Sequence, residues 1–268
     1  MNADRIEEAV AEAVRVLRER PSALVSDVDG TLSPVVAKPE EAVVLPECRS
    51  ALLKLAGRLD LVAVISGRTA ADARRMVGLD GLLYIGNHGL ERWDRVDGYR
   101  NEAAAFEDEI RELRATLEEA LRETAGVRIE DKGVILSLHY RGAARPQTAR
   151  QYILDLLDRL LPTERLAIAE GKMVVEVRPA LKLDKGVVIE GLVEDRGLRG
   201  VVFLGDDRTD VDAMRALRRL CESGVKGLAI GVMGDEAPEE LLEASHMMLP
   251  GPAEVASLLE RLAEVLST

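Results

Sequence analysis

Two aspartates separated by one residue follow a short apolar run near the start of the chain. The segment Ala23–Leu32 reads Ala-Leu-Val-Ser-Asp-Val-Asp-Gly-Thr-Leu, with carboxylates at Asp27 and Asp29. The apolar residues predict a buried strand that carries both acids to a turn, where Gly30 relaxes the backbone. Ligands bind at the carboxyl ends of the strands in an open α/β sheet. An acidic turn that merely ends a strand would look the same, so the pair needs support from elsewhere in the chain.

Two further apolar runs end in polar turns that contain glycine. Leu61–Ile65 is followed by Ser66-Gly67-Arg68, and Leu82–Ile85 is followed by Gly86-Asn87-His88-Gly89. A hydroxyl group beside backbone N–H groups at a strand-to-helix turn is a natural anion site, although a plain helix cap fits Ser66 equally well. Three strands that each end in a polar turn predict a parallel sheet with functional groups along one edge.

A second acidic group follows a later apolar run. Val201–Leu204 leads into Gly205–Asp210, which contains Asp206, Asp207 and Asp210. Carboxylates this close together are costly after a buried strand unless they are solvated or bind a cation. A cation site at the sheet edge and a plain acidic loop are both consistent with the segment.

The order of elements changes in the middle of the chain. A charged helix pattern over Glu102–Thr124 precedes two strand patterns, and a second helix pattern over Pro146–Leu161 precedes two more. The order αββαββ predicts an inserted antiparallel sheet covered on one side by two helices. The predicted fold class is α/β, a parallel sheet with an inserted α+β unit. We expect a core of residues 1–100 and 181–268 and an inserted domain of residues 101–180.

Strand alternation gives the inserted sheet an apolar face and a polar face. The apolar face has Val134, Leu136, Leu138, Tyr140, Met173, Val175 and Val177. The polar face has Ser137, His139, Arg141, Lys172, Glu176 and Arg178, interrupted by Ile135 and Val174. A solvated surface and a surface that grips a polyhydroxy ligand both fit this pattern.

Composition narrows the classes of function. The chain has 268 residues and a formal net charge of −12 without a long basic stripe, which argues against nucleic-acid binding but not against a small anionic ligand. Cys48 and Cys221 lack metal-type spacing, so we expect neither a disulfide framework nor a zinc site. The N-terminal segment is an amphipathic helix pattern and not a signal peptide, and no apolar run reaches the ~18 residues of a membrane span. We expect a soluble, cytoplasmic, monomeric protein without a membrane partner.

Four elements stand in an order that identifies a superfamily. They are Asp27-Val28-Asp29-Gly30-Thr31, Ser66, Lys185 and Gly205-Asp206-Asp207. With them the chain resembles the haloacid dehalogenase superfamily of phosphatases. The segments Asp29–Pro34, Ile65–Arg68, Gly86–Glu91, Gly171–Pro179 and Gly205–Asp210 are similar to trehalose-6-phosphate phosphatases. Val211 stands where that family usually has glutamate, which affects a peripheral acidic contact and not the metal ligands.

The resemblance implies a Rossmann-like core, a C2-type cap and a Mg²⁺-dependent mechanism. It makes Asp27 the nucleophile, through an aspartyl phosphate, and Asp29 the acid and base. The predicted catalytic residues are Asp27, Asp29, Ser66 and Lys185. The predicted metal ligands are Asp27, Asp29 through its carbonyl, and Asp206, with Asp207 and Asp210 beside them. The predicted substrate-binding residues are Arg68, Asn87, His88, His139, Lys172, Glu176 and Arg178.

The activity expected from the resemblance is hydrolysis of trehalose 6-phosphate, so the expected partner is a small sugar phosphate. The nearest alternative is another substrate such as sucrose 6-phosphate or mannosyl-3-phosphoglycerate, because cap residues decide the substrate. A phosphomutase would return the phosphoryl group to the sugar. A sensor would bind without reaction, but it need not keep the nucleophile, acid, lysine and metal carboxylates together, and this chain has all of them.

Overall fold

The computed structural model describes residues 2–36, 38–161, 165–171, 173–234 and 237–267. Its strands are β1 (Ser22–Ser26), β2 (Leu61–Ile65), β3 (Leu83–Gly86), β4 (Glu91–Asp94), β5 (Gly98–Asn101), β6 (Arg128–Asp131), β7 (Leu136–His139), β8 (Leu166–Gly171), β9 (Val174–Pro179), β10 (Gly200–Gly205), β11 (Lys226–Val232) and β12 (Met247–Leu249). Its α-helices are α1 (Asn2–Leu17), α2 (Pro46–Ala56), α3 (Ala70–Val77), α4 (Glu107–Ala120), α5 (Pro146–Leu160), α6 (Lys185–Arg196), α7 (Arg208–Glu222), α8 (Glu239–Ala244) and α9 (Pro252–Val265). Within these ranges, every helix is too short or too polar to span a bilayer.

The chain divides into two compact units. One comprises Met1–Arg100 and Leu183–Thr268, and the other comprises Asn101–Lys182. The predicted division into a core of residues 1–100 and 181–268 and an inserted domain of residues 101–180 stays a prediction.

Strand β1 lies near the centre of an eight-stranded sheet in the first unit. The strand order is β12-β11-β10-β1-β2-β3-β4-β5. The strands from β12 to β3 pair in parallel, and β4 pairs antiparallel with β3. The chain runs outwards from β1 through β2 to β3 and later places β10 on the other side of β1. The connections therefore diverge at the carboxyl end of β1, which opens the crevice where sheets of this type bind ligands.

Helices cover both faces of this sheet because its central strands are apolar on both sides. Leu24 belongs to a core formed with α1, α2, α3 and α9, whereas Val25 belongs to a core formed with α6, α7 and α8. Every residue of β1, β2 and β10 is buried. Continuous apolar strands are typical of parallel sheets buried on two faces, and the predicted α/β class is confirmed.

Side-chain caps begin the helices that follow the site strands. Thr69 Oγ1 accepts the N–H of Asp72 (3.0 Å) at the start of α3, and Asp184 caps α6. Asp207 caps α7 and forms a capping box with Asp210. Each cap fixes the turn before its helix, and these turns carry the candidate site.

The second unit is a four-stranded antiparallel sheet with the order β6-β7-β9-β8. Leu136 and Leu138 of β7 and Val175 and Val177 of β9 are buried against apolar residues of α4 and α5. The predicted order αββαββ, with both helices on the apolar face, is confirmed.

The sequence analysis missed four short elements, β4, β5, α8 and β12. Each has three to six residues, which is too few to give a clear period. Asp94 joins β4 to β5, because its Oδ1 accepts the N–H groups of Val96 (2.8 Å) and Asp97 (2.6 Å). The helix predicted over Glu102–Thr124 spans only Glu107–Ala120, since helix-forming residues continue into the turns at both ends.

Candidate active site

The carboxyl ends of β1 and β10 bring the two acidic groups together. Asp27 follows β1 directly, and its backbone N–H donates to the carbonyl of Leu204 in β10 (2.9 Å). This bond extends the β1–β10 ladder by one residue, so the position of Asp27 is set by the sheet itself. Asp206 is the first residue after β10.

Lys185, the first residue of α6, joins these groups as a buried cation. Its Nζ donates to Asp27 Oδ1 (2.8 Å) and to Asp210 Oδ1 (2.7 Å), and its side chain is only 2% exposed. Burial lowers the pKa of Lys185, but the carboxylates of Asp210 and Asp27 raise it by more, so the ammonium stays charged. Burial raises the pKa of Asp27 despite the attraction of Lys185.

Asp210 shapes the acidic turn and also supports Lys185. Its Oδ2 accepts the backbone N–H groups of Asp206 (3.0 Å) and Asp207 (3.1 Å), while its Oδ1 accepts Lys185. Burial raises the pKa of Asp210 to about 6. Because both oxygens already accept protein donors, Asp210 is suited to hold the turn and not to ligate a cation.

Asp27 and Asp206 form a pair of oxygen donors suited to a hard divalent cation. In the described part of the chain, one carboxylate oxygen each from Asp27, Asp206 and Asp210 lies within 4.8 Å of the others. Burial raises the pKa of Asp206 to about 8, although Thr31 Oγ1 donates to it (3.2 Å). Gly30 has a φ of +86°, and a Cβ there would overlap the Asp206 carboxylate. A cation would offset the cost of these buried charges, so the residues fit a Mg²⁺ site.

Asp29 and Arg68 form a second, more exposed ion pair. Arg68 Nε donates to Asp29 Oδ2 and Arg68 Nη2 to Asp29 Oδ1, both at 2.7 Å. Arg68 Nη2 also donates to the carbonyl of Pro39 (2.8 Å). The Arg68 side chain is 18% exposed and the Asp29 side chain is 39% exposed. The sequence predicted Arg68 as a substrate-binding residue. In the structure its guanidinium instead donates to the carboxylate of Asp29, the predicted acid.

The other predicted residues of the first unit lie on the turns after β2 and β3. Ser66 is buried, and its Oγ accepts the N–H of Arg68 (3.1 Å). Asn87 and His88 have positive φ angles of 48° and 56°. A Cβ at Gly67 would lie 2.8 Å from His88 Cε1, so the imidazole packs directly on the Ser66-Gly67-Arg68 turn.

The predicted polar face of the second unit is joined by hydrogen bonds. Glu176 Oε1 accepts Ser137 Oγ (2.8 Å) and Lys132 Nζ (3.1 Å), and His139 Nε2 lies 2.7 Å from Glu130 Oε2. Their hydrogen bond lowers the pKa of Glu130. Arg178 lies on β9 opposite Ala167 of β8. Lys172 lies outside the described residues.

Sequence reasoning missed Glu130 and Lys132 on this face. Glu130 of β6 lies opposite Ser137, which in turn lies opposite Glu176, so one row of side chains crosses three strands. The period of two over Arg128, Glu130 and Lys132 was available as a signal. The pairing register that brings these side chains into one row could not be read from the sequence.

Known proteins share both the sequence pattern and the fold. Residues 25–241 match the family model described as trehalose-phosphatase. A Zea mays protein named trehalose 6-phosphate phosphatase is 31% identical over 256 residues, covering 88% of this chain and 68% of that protein. A Mycobacterium tuberculosis protein named as an uncharacterized glycosyl hydrolase is 35% identical over 258 residues, covering 93% of this chain. The chain thus spans only about a fifth of that relative, at 19% of its length.

Two solved structures have the same fold. The C-terminal domain of a C. albicans trehalose-6-phosphate phosphatase is similar with a TM-score of 0.78, at 22% identity and 97% coverage of each chain. A haloacid dehalogenase-like hydrolase from Bacteroides thetaiotaomicron is similar with a TM-score of 0.64, at 14% identity and with 92% of this chain and 98% of that chain covered. The haloacid dehalogenase fold predicted from the sequence is confirmed.

Replacing Lys185 by methionine tests the buried charge cluster. The variant leaves Asp27 and Asp210 buried without their cation, so we expect the free energy of unfolding at pH 7 to fall by about 3–5 kcal/mol. The pKa of Asp210 is already raised to about 6. Protonation of Asp210 between pH 7 and pH 5 should therefore remove one of the unpaired buried charges of the variant. The difference in the free energy of unfolding between the variant and the wild type should then be smaller at pH 5 than at pH 7.

Urea unfolding at both pH values measures this effect, with the exposed Lys182→Met as the matched control. An equal deficit at pH 7 and pH 5 would contradict the electrostatic explanation and leave only lost packing.

Proposed function

The chain belongs to the trehalose-phosphatase family, and we propose on that basis that it hydrolyses trehalose 6-phosphate to trehalose and phosphate. The observation that carries the proposal is the placement of Asp27, Asp29, Lys185 and Asp206 at one edge of the sheet. Phosphoryl transfer needs a fixed nucleophile, a proton donor and positive charge around the phosphate, and these four residues supply or recruit all three. A cytoplasmic location and a monomeric state stay predictions.

Asp27 is suited to attack phosphorus because its position is fixed on two sides. The β1–β10 ladder holds its backbone, and Lys185 holds Oδ1, which leaves Oδ2 to form the bond. Attack breaks the bond between phosphorus and the sugar oxygen and gives an aspartyl phosphate. Water then attacks phosphorus, releases phosphate and regenerates the Asp27 carboxylate.

Asp29 is suited to move the protons of both steps. In the first step it gives a proton to the departing sugar oxygen, and in the second it takes one from the attacking water. Arg68 orients its carboxylate through two hydrogen bonds. Protonation removes the negative charge that attracts the guanidinium, so the pair weakens when Asp29 carries the proton.

Positive charge and donors for the phosphoryl oxygens come from Lys185 and the Ser66 hydroxyl. We propose that Asp27, Asp206 and the Asp29 carbonyl hold Mg²⁺, while Asp207 and Asp210 keep the acidic turn in place. When bound, the cation supplies charge that stabilises the phosphoryl group in the transition state. The burial that raises the pKa values of Asp27 and Asp206 supports this assignment.

We propose that the polar face of the second unit recognises the sugar. Its donors and acceptors alternate across the sheet, with Lys132, Ser137 and Glu176 in one group and Glu130 with His139 in another. A surface that offers both donors and acceptors suits a polyhydroxy ligand, because each hydroxyl group can donate and accept hydrogen bonds. Lys172 and Arg178 were predicted for the same face.

Phosphate release from a panel of substrates tests the activity. We expect trehalose 6-phosphate with Mg²⁺ to give the highest kcat/KM, above sucrose 6-phosphate, glucose 6-phosphate and mannosyl-3-phosphoglycerate. EDTA should abolish release, and added Mg²⁺ should restore it, because the buried carboxylates otherwise repel the phosphate. Another preferred substrate would overturn the substrate assignment, an isomerised sugar phosphate would indicate a mutase, and binding without turnover would indicate a sensor. Full activity after thorough metal removal would overturn the Mg²⁺ site.

Variants of Asp27 and Asp29 separate their roles. Asp27→Asn should abolish the phosphoenzyme, because an amide oxygen is a poor nucleophile. Asp29→Asn keeps the nucleophile and the backbone carbonyl, so an aryl phosphate with a good leaving group should still phosphorylate Asp27. Water activation is lost as well, so the adduct should accumulate while turnover of the sugar phosphate fails.

Acid-quenched mass spectrometry of the peptide containing Asp27 measures the adduct, and the exposed Asp80→Asn is the control. An adduct in Asp27→Asn, or normal sugar-phosphate turnover in Asp29→Asn, means that the roles are assigned wrongly.

Glu176→Ala tests sugar recognition by the second unit. Loss of a charged hydrogen bond is worth about 1.5–3 kcal/mol, so kcat/KM for trehalose 6-phosphate should fall roughly ten- to a hundredfold. A small aryl phosphate lacks the sugar and should be almost unaffected. Glu170→Ala is the matched control, because Glu170 lies in the same sheet but pairs with Arg150 of α5, on the face opposite Glu176. Equal losses on both substrates would assign Glu176 to folding or to the chemical step.

A further inference from the structure

Glu91 is a buried carboxylate that has no role in the mechanism above. It is the first residue of β4 and only 4% exposed. Its Oε2 accepts the N–H of Ala70 (2.8 Å), its Oε1 accepts Asn87 Nδ2 (2.7 Å), and the side chain of Tyr99 also hydrogen-bonds to it. These donors come from α3, from the turn after β3 and from β5. One carboxylate therefore joins three separate parts of the first unit.

These contacts explain how Glu91 remains buried. A carboxylate removed from water is costly unless donors satisfy it. Burial raises the pKa of Glu91, whereas the hydrogen bonds from Ala70, Asn87 and Tyr99 lower it. The Ala70 N–H is one of the free donors at the start of α3, where the helix dipole favours a negative charge.

The two turns that Glu91 joins also contact each other directly. The backbone N–H of Asn87 donates to the carbonyl of Arg68 (2.7 Å), and that of His88 donates to the carbonyl of Ser66 (3.1 Å). Asn87 and His88 both have positive φ angles. Residues other than glycine rarely adopt this backbone conformation unless their surroundings fix it. The Asn87 side chain is fixed by Glu91, so Glu91 supports the backbone conformation that faces Arg68.

We propose that Glu91 is a positioning residue that ties the turn after β2 to the turn after β3 and so sets Arg68, which in turn orients Asp29. The assignment rests on the proposed function, because Asp29 acts there as the acid. The path is short: Glu91 holds Asn87, Asn87 holds the carbonyl of Arg68, and the Arg68 guanidinium holds Asp29. A shift of the turn moves the acid but leaves Asp27 on β1 in place.

Exchanging the two side chains tests the proposal. Glu91→Gln offers one amide oxygen to two donors, the Ala70 N–H and the Asn87 amide, so either a donor faces a donor or the Asn87 amide has to turn over and give up its present contacts. The double variant Glu91→Gln with Asn87→Asp restores a donor against an acceptor and keeps the same net charge. Aspartate also tolerates the left-handed backbone that residue 87 requires. Glu243→Gln, on the exposed surface of α8, is the matched control.

The comparison of leaving groups identifies a positioning role. An alkyl leaving group needs a proton from the acid, whereas p-nitrophenolate does not. A misplaced acid therefore slows the reaction of the sugar phosphate more than that of p-nitrophenyl phosphate. We expect Glu91→Gln to lower kcat/KM roughly ten- to a hundredfold for the sugar phosphate and less than about threefold for p-nitrophenyl phosphate. The double variant should recover most of the loss that Glu91→Gln causes on the sugar phosphate, and Glu243→Gln should not differ from the wild type.

Several outcomes would overturn the proposal. Equal losses on both substrates, with a lowered Tm, would make Glu91 a purely structural residue. Wild-type kinetics in Glu91→Gln, or no recovery in the double variant, would break the path through Asn87. If Glu91→Gln does not fold, Tyr99→Phe removes one donor to Glu91 from a half-exposed residue and should show the same preference for the aryl substrate with a smaller loss.

The test separates this proposal from the proposed function. If the wild type turns over another sugar phosphate in place of trehalose 6-phosphate, the substrate assignment fails, and the comparison with p-nitrophenyl phosphate is made on that sugar phosphate. A wild type that releases phosphate from neither alkyl nor aryl esters would overturn both.

Discussion

The buried ammonium of Lys185 is the charge on which the site depends. It joins the start of α6 to the end of β1 through Asp27 and to the first turn of α7 through Asp210. A buried ion pair contributes little net stability compared with apolar packing, but removal of one partner leaves an uncompensated charge. The arrangement is therefore better explained by chemistry than by stability. It keeps a carboxylate at a fixed point next to a cation that does not depend on pH near neutrality.

Asp210 links the charge of the site to the shape of its acidic turn. One oxygen supports Lys185, and the other accepts two consecutive N–H groups at the start of the turn. A Cβ at Gly205 would overlap the Asp210 side chain, so the strand can end there only as glycine. The same side chain thus sets where Asp206 lies and how strongly the cluster attracts a cation. Asp210 therefore acts on the acidic cluster through both its geometry and its charge.

The fold and the placement of the candidate residues were predictable because they follow from short-range patterns. Apolar runs located β1, β2 and β10, and the polar residues directly after them are the site. The contacts between these turns were not predictable, since they join residues far apart in the sequence. Arg68 reaches Asp29 across 39 positions, and Glu91 reaches Ala70 across 21. β4, which carries Glu91, was itself missed because four residues give no readable period.

The two ion pairs of the site differ in burial, and this difference matches the roles proposed for the two aspartates. Asp27 is paired with Lys185 away from water, and such a pair does not exchange partners without a large cost. Asp29 is paired with Arg68 nearer to water, with 39% of its side chain exposed, so this pair opens more easily than the buried one. A nucleophile has to stay in place while phosphorus reaches it. An acid that also serves as a base gives up one proton and takes up one proton in each turnover, and an ion pair that opens more easily permits this.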